Sequence, residues 1–341
     1  MAIDDRKQRI MMAIVSLYGL GGEPVGSNLL SRHFNMAVSS ATLRNEMAAL
    51  TRQGLLEQPH TSAGRVPTAK GYRYYVDNLL ETPDALPAAD KAQMDEAFRG
   101  LDYDPEKMVQ GAAKLLSDQL GHAVVATTPR ADNTFIAHYE VLQVGRYTAA
   151  VLAVTGAGGV RTRVAKADKE LTEADIAQVK LALNRHLCFV VDADADAALI
   201  RTMVDSLGES GPACWPIFSA AATLLAEASQ HRLFFEGQQY LLRWPEFESH
   251  FKTLLALFSD ADWVEHLNQP QGGHTTIVFG DEFSADPIHG LCIIARQYLA
   301  GGGLAGSVAV VGPARIRYRE VIPKLEYFSD LLGKRMSGTA A

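Results

Sequence analysis

Apolar side chains recur with a helical period along the first fifth of the chain. Ile10, Met11, Ile14 and Leu17 mark one face of an N-terminal helix, and Leu29, Leu30 and Phe34 mark a second, short helix over 27–34. Between 39 and 53, Leu43, Met47 and Leu50 fall at i, i+4 and i+7, which predicts a helix with one buried face. Residues 35–38 read as the turn before it, Ser39 or Ser40 as its N-terminal cap and Gly54 as its stop. Two short strands, 55–59 and 65–67, are expected next, with His60-Thr-Ser-Ala-Gly64 as the tip between them and Gly64 allowing a tight turn. A further helix begins near Thr68. The sum is a helix-turn-helix with a β-hairpin wing.

Beyond a proline-bearing break at 81–90, Met94, Phe98, Met108, Ala112, Leu115 and Leu116 continue as helix. The composition then turns to Val, Ile, Thr and Tyr. Segments 123–128, 134–144, 147–155 and 160–164 predict strands of an antiparallel sheet, with Gly156-Ala-Gly-Gly159 as a hairpin turn. Ile176, Val179, Leu183 and Leu187 predict a helix over 171–187 capped by Thr172, and 198–207 and 217–228 add more helix. Strand-like segments return at 233–235, 275–279, 291–298 and 307–311, with a helix over 246–257 among them and a closing helix over 319–332. The expected fold is α+β. A winged helix-turn-helix occupies 1–80, an α/β domain with an antiparallel sheet occupies 81–165 and 231–341, and a mainly helical segment, 166–230, is inserted into it.

The 39–53 helix carries the chemistry. Opposite its buried face lie Ala41, Asn45, Ala48 and Arg52, flanked by Thr42 and Arg44. Ser39, Ser40, Thr42, Arg44 and Asn45 fill its first half with small or hydrogen-bonding groups. A helix that enters the DNA major groove needs this design, because Arg reads guanine, Asn reads adenine and hydroxyls hold phosphates. The hairpin tip offers His60, Thr61, Ser62 and Arg65 without an acid, and Lys70 follows on the next helix. These residues form the expected DNA-contact set. Charge agrees: residues 1–80 hold nine Lys/Arg and six Asp/Glu, whereas the whole chain is at −7, so a mildly basic head sits on an acidic body.

The 341 residues correspond to two or three domains, and 48% hydrophobic with 21% charged residues excludes wholesale disorder. Cys188, Cys214 and Cys292 are far apart with no ligand spacing, so free thiols in a reducing compartment are expected, with neither a disulfide framework nor a zinc site. No apolar run reaches the roughly 18 residues of a membrane span, and a cytoplasmic protein is expected.

Several runs are similar to one known family. Val38-Ser-Ser-Ala-Thr-Leu-Arg-Asn-Glu-Met47, then Gly54-Leu-Leu-Glu-Gln-Pro-His-Thr-Ser-Ala-Gly-Arg-Val-Pro-Thr68 and Gly71-Tyr-Arg-Tyr-Tyr-Val-Asp77, resemble the bacterial heat-inducible transcription repressor family HrcA. Gly306-Ser-Val-Ala-Val-Val-Gly-Pro-Ala-Arg-Ile-Arg-Tyr318 resembles its closing stretch, with Ile316 where the family usually has Met, and Leu241-Leu-Arg-Trp-Pro-Glu-Phe247 resembles another of its elements. Gly280-Asp-Glu-Phe283 matches more loosely, with Phe283 where the family has Asn, and the middle of the chain, about 165–230, matches loosely too. The resemblance implies a GAF-like domain, an inserted dimerising domain, a homodimer bound to double-stranded DNA at an inverted-repeat (CIRCE-type) operator, and dependence on a GroEL-type chaperonin that is titrated away on heat stress.

Enzymatic chemistry finds little support. Gly156-Ala-Gly-Gly-Val-Arg161 lacks the third glycine of a dinucleotide loop, and Asp192-Ala-Asp-Ala-Asp196 lacks the glycine and final glutamate of a calcium loop. No catalytic group, metal or cofactor is therefore assigned. A ligand-responsive regulator that uses the GAF-like domain as a small-molecule sensor is the alternative reading.

Overall fold

In the computed structural model, residues 3–81, 85–129, 135–156, 158–191, 195–229, 232–258, 274–282, 288–301 and 304–338 are described. The head consists of α1 (Asp5–Gly21), α2 (Ser27–His33), α3 (Ser40–Arg52), β1 (Leu56–Glu57), β2 (Val66–Pro67) and α4 (Ala69–Asn78). Helices α1, α3 and α4 start on side-chain caps: Asp4 accepts from the Lys7 amide, Ser39 from that of Thr42 and Thr68 from that of Gly71. Ile10, Met11 and Ile14 of α1 meet Leu30 of α2 and Leu43, Met47 and Leu50 of α3, all buried. Burying such a side chain contributes roughly 1.5–3 kcal/mol, far more than the head's exposed ion pairs.

The body opens with α5 (Ala88–Arg99) and α6 (Pro105–Leu120) and is organised by a five-stranded antiparallel sheet. Its strands are β3 (Ala123–Thr127), β7 (Leu233–Glu236), β8 (Thr276–Phe279), β9 (Leu291–Gly301) and β10 (Leu304–Pro313), in the order β7-β3-β10-β9-β8. Both faces of this sheet are covered. Val124, Ala126, Ile294, Val308 and Val310 face α6 and the closing helix, α11 (Tyr318–Met336). Their neighbours Val125, Ile293, Ala295, Ala309 and Val311 face Leu241, Phe247, Leu254 and Phe258 on the other side. Burial of both faces explains why β3 and the start of β9 read as unbroken apolar runs.

Between β3 and β7 the chain makes β4 (Ile136–Gly145), β5 (Thr148–Thr155), β6 (Val160–Lys166), α7 (Glu173–His186), α8 (Ala197–Ser206) and α9 (Gly211–Ser229). The strands form a separate sheet, β4-β5-β6, whose Tyr139, Val141, Val151 and Ala153 share a core with Val179, Leu183, Phe218 and Leu224 of the helices. Two expectations are thereby corrected. Segments 134–144, 147–155 and 160–164 do not continue the sheet of 123–128, and the insertion begins between 129 and 135, not at 166. The cause is local: β6 (Val-Arg-Thr-Arg-Val-Ala-Lys) is exposed at every position but Arg161 and Ala165 and so does not fit inside a sheet covered on both faces, whereas β3 is buried throughout. The helix expected over 246–257 is also broken. A 3-10 turn spans Pro245–Phe247, and α10 (Phe251–Leu257) starts only after it. The acidic run 192–196 lies mostly outside the described residues, although Asp196 caps α8.

Head and body share one core. Tyr75 of α4 packs against Tyr318 with ring centres 5.8 Å apart, and Tyr72 against Phe279 at 6.1 Å. Arg73 lies over the Phe279 ring, donates to the Ile277 carbonyl at 3.0 Å and pairs with Glu282. Burial works against the charge of Arg73, but the Glu282 and Asp77 carboxylates hold its pKa above the ordinary value. Beneath this seam lies Cys292, fully buried and contacted by the Tyr318 hydroxyl; burial pushes its thiol up to about 12.

Within the insertion, Thr172 and Asp175 form a reciprocal cap on α7, and Asp175 also accepts from the Lys169 ammonium at 2.6 Å. Burial pushes the Asp175 carboxyl up, but Lys169 and Thr172 outweigh it and hold the pKa below the usual carboxylate range. A depressed folded pKa means stability that is present above about pH 3.9 and is lost as pH falls further. Asp175→Asn should therefore lose about 1–3 kcal/mol at pH 7, and its melting-temperature deficit in calorimetry should shrink as pH is lowered below 4.

Candidate nucleic-acid interface

The candidate surface is assembled from α2, α3 and the β1–β2 hairpin. Leu43, Met47 and Leu50 root α3 in the head core, which turns Ala41, Arg44, Asn45 and Arg52 outward. Ser39 caps the helix, and its hydroxyl also lies 2.9 Å from that of Thr42. With no acid in the first turn, the amide dipoles leave this end positive. The one acid on α3, Glu46, is paired with Lys7 of α1 at 3.3 Å. Gly54, at φ 74°, supplies the left-handed residue that ends the helix and sends the chain into the hairpin.

The hairpin tip is held by its own backbone. The Gln58 amide donates to the carbonyls of Thr61 at 2.8 Å and Ala63 at 3.0 Å, and His60 Nδ1 lies 3.2 Å from the Ser62 hydroxyl. Arg65 exchanges two backbone hydrogen bonds with Val25, each 2.9 Å, and its Nε donates to Thr51 of α3 at 3.1 Å. Gly64 has a role other than the expected tight turn. It has no left-handed φ; instead, an added Cβ would stand 2.4 Å from the carbonyl of Val25. The hairpin is thus laid directly on the strand-like residue that precedes α2.

Between the start of α2, the outer side of α3 and the tip lies a groove of about 440 Å³. Arg44, Thr61, Ser62 and Arg65 line it together, joined by Ser27, Asn28 and Gln58, which the sequence reading did not single out. Ser39, Arg44, Asn45, His60, Thr61 and Ser62 are all exposed, with Ser40 and Thr42 partly so. Lys70 stands apart. Its ammonium donates to the Gln53 carbonyl at 3.0 Å, capping the far end of α3, and it lines a different hollow with Ile3, Arg73 and Tyr74. The twelve residue steps from Ser40 to Arg52 put that end roughly 18 Å from the first turn. The geometry thus gathers donors around one end of α3 into a concave, acid-free surface that fits a polyanionic backbone and base edges, and it leaves Lys70 out.

The Gly64 contact is open to a direct check. Gly64→Ala should cost about 1–3 kcal/mol through overpacking against Val25, seen as a lower denaturation midpoint, and should weaken any function of the tip along with it.

Comparison with known proteins places the chain among relatives. The family pattern described as the HrcA protein C terminal domain matches residues 106–322. A heat-inducible transcription repressor HrcA from Desulforudis audaxviator is 31% identical over 98% of this chain and 98% of its own length. Proteins of the same name from Clostridium botulinum and Moorella thermoacetica are 32% and 30% identical, covering 94% and 98% of both chains respectively. A crystal structure of a hypothetical protein superimposes with a TM-score of 0.67 over 99% of this chain and 100% of the other, at 23% identity, which speaks to the fold. Among the described residues no helix is long and apolar enough to cross a membrane.

Proposed function

Because this chain belongs to the HrcA family of heat-inducible transcription repressors, and is therefore a transcription regulator and not an enzyme, we propose that its head is a winged helix that reads one half of an inverted-repeat operator. In this reading α3 enters the major groove by its first two turns. Arg44 and Asn45 face base edges, and Ser39, Ser40 and Thr42 meet phosphates. The wing tip, with His60, Thr61 and Ser62, lies along the flanking backbone, and the partly engaged Arg65 keeps hairpin and α3 in register while reaching the same groove. The observation that carries the reading is the shared concave surface of Arg44, Thr61, Ser62 and Arg65. Lys70 is better assigned to holding the far end of α3.

Mobility shifts on the promoter duplex upstream of the host's chaperonin operon test this. Arg44→Ala should cost about 1–3 kcal/mol and relax the sequence preference, whereas loss of a phosphate contact weakens all DNA alike. Unchanged affinity for Arg44→Ala and for Thr61→Ala would remove the site assignment.

An inverted repeat calls for a two-fold protein. We assign the pairing to the insertion, by the outward face of its sheet and not by its helices. Cross-strand neighbours Leu142, Ala150 and Val164 form one row of that face, and Val154 and Val160 belong to another. Leu142, Val160 and Val164 stay 50–62% exposed, an apolar patch that a second copy would cover. The double variant Leu142→Glu, Val164→Glu should run as a monomer in light scattering. It should bind the inverted repeat roughly 10²–10⁴-fold more weakly, because the two heads no longer act together.

The five-stranded body is read as a GAF-like scaffold between head and insertion. Release on heating is read as a fall in the folded fraction, which lowers apparent operator affinity in proportion. The part assigned to a GroEL-type chaperonin rests on family resemblance; adding that chaperonin to a partly inactivated sample should restore operator binding.

A further inference from the structure

We infer that Glu106 is the clasp that fixes the insertion's angle to the rest of the chain, and so sets the half-site spacing the dimer accepts. The inference rests on the paired, DNA-reading function proposed above. Head and body are one rigid piece, since a single apolar core runs from Ile10 and Leu43 through Tyr75 to Tyr318 and Val310. The insertion has a core of its own, made only of residues between Ile136 and Leu225. Among the described residues, apolar packing therefore does not set the angle between the two pieces.

Polar contacts do. The chain passes from body to insertion after Thr128 and returns before Arg232. Beside these crossings the Thr128 amide donates to the Arg232 carbonyl at 2.9 Å, and the Arg232 amide donates to the Thr128 hydroxyl at 3.0 Å. These bonds form a two-strand neck. Next to it stands Glu106, in the first turn of α6, a helix anchored in the body by Met108, Val109, Ala112 and Leu116. One Glu106 oxygen accepts from the guanidinium of Arg161 on β6 at 2.5 Å, and the other lies 2.7 Å from that of Arg232 at the neck. Arg161 is only 14% exposed, so water screens this pair less than an open surface pair. Guanidinium and carboxylate are both planar and directional, which makes the bridge resist rotation as well as separation.

The placement on β6 gives the clasp its consequence. Arg161 and Arg163 lie on the helix side of the sheet, Arg163 pairing with Glu227 of α9, while Val160 and Val164 lie on the outward face. One strand thus holds the body on one side and offers the proposed pairing surface on the other. The angle set at Glu106 becomes the angle between the two-fold axis and each reading head.

The test uses the full-length protein and two series of duplexes: the inverted repeat with its native spacer, and the same repeat lengthened by about half a helical turn, roughly 5 bp. The wild type should lose about 100-fold in affinity on the lengthened duplex, because only one head can then engage. Glu106→Gln and Arg161→Ala should lose most of that penalty, while remaining dimeric in light scattering and binding an isolated half-site as the wild type does. Variants that keep the full spacing penalty overturn the clasp alone. A wild type that does not prefer the inverted repeat overturns the functional reading, and the clasp with it.

Discussion

The packing of Tyr72 and Tyr75 of α4 against Phe279 and Tyr318 of the body is the interaction on which the architecture depends. Without it the head would be joined to the body by the chain alone. With it, the head's core and one face of the five-stranded sheet become a single apolar cluster. Aromatic pairs of this kind add to the area they bury, and they tolerate little displacement. Helix α3 is therefore oriented by the body, and whatever loosens the body loosens the head. On the proposed reading, DNA affinity would fall with global stability and need no dedicated hinge.

Electrostatics plays a different part. Exposed pairs such as Arg99 with Glu96 contribute little to stability. Some half-buried ones, such as Lys169 with Asp175, sit inside one piece, and others sit where pieces of the molecule meet: Arg73 with Glu282 at the head, Arg315 with Glu246 beside Trp244, and Arg161 with Glu106 at the neck. At the head these directional pairs flank an orientation that the aromatic packing already sets; at the neck Arg161 and Glu106 bridge pieces whose apolar cores are separate. In the groove, Gln58 and Arg65 spend their donors on carbonyls and Thr51 and thereby hold the tip still for its neighbours.

Much of the head was legible in the sequence, because its signals are local. The i, i+4, i+7 spacing of Leu43, Met47 and Leu50, the Ser39 cap and the Gly54 stop each act within one or two turns, and α3 follows from them. Gly64 was recognisable as special, but its reason is the backbone of Val25, thirty-nine positions away, which no local rule reaches. Lys70 was grouped with the tip by nearness in the chain, although α4 carries it to the opposite end of α3. Ser27, Asn28 and Gln58 carried no signal beyond their hydrogen-bonding groups. The polar residues of β6 already set it apart from a doubly buried strand, yet strand character says nothing of which strands pair. Only the contrast with the unbroken run of β3 hints that two sheets are present.

The burial of Cys292 under the head–body seam has a practical meaning. A thiol with its pKa at about 12, sealed beneath Tyr318, is inert to alkylating reagents while the seam is shut. Its modification must wait for the aromatic layer to part, so the rate at which this sulfur is capped counts those partings. The molecule thus carries a built-in chronometer of its own thermal breathing, located where the reading head would come loose.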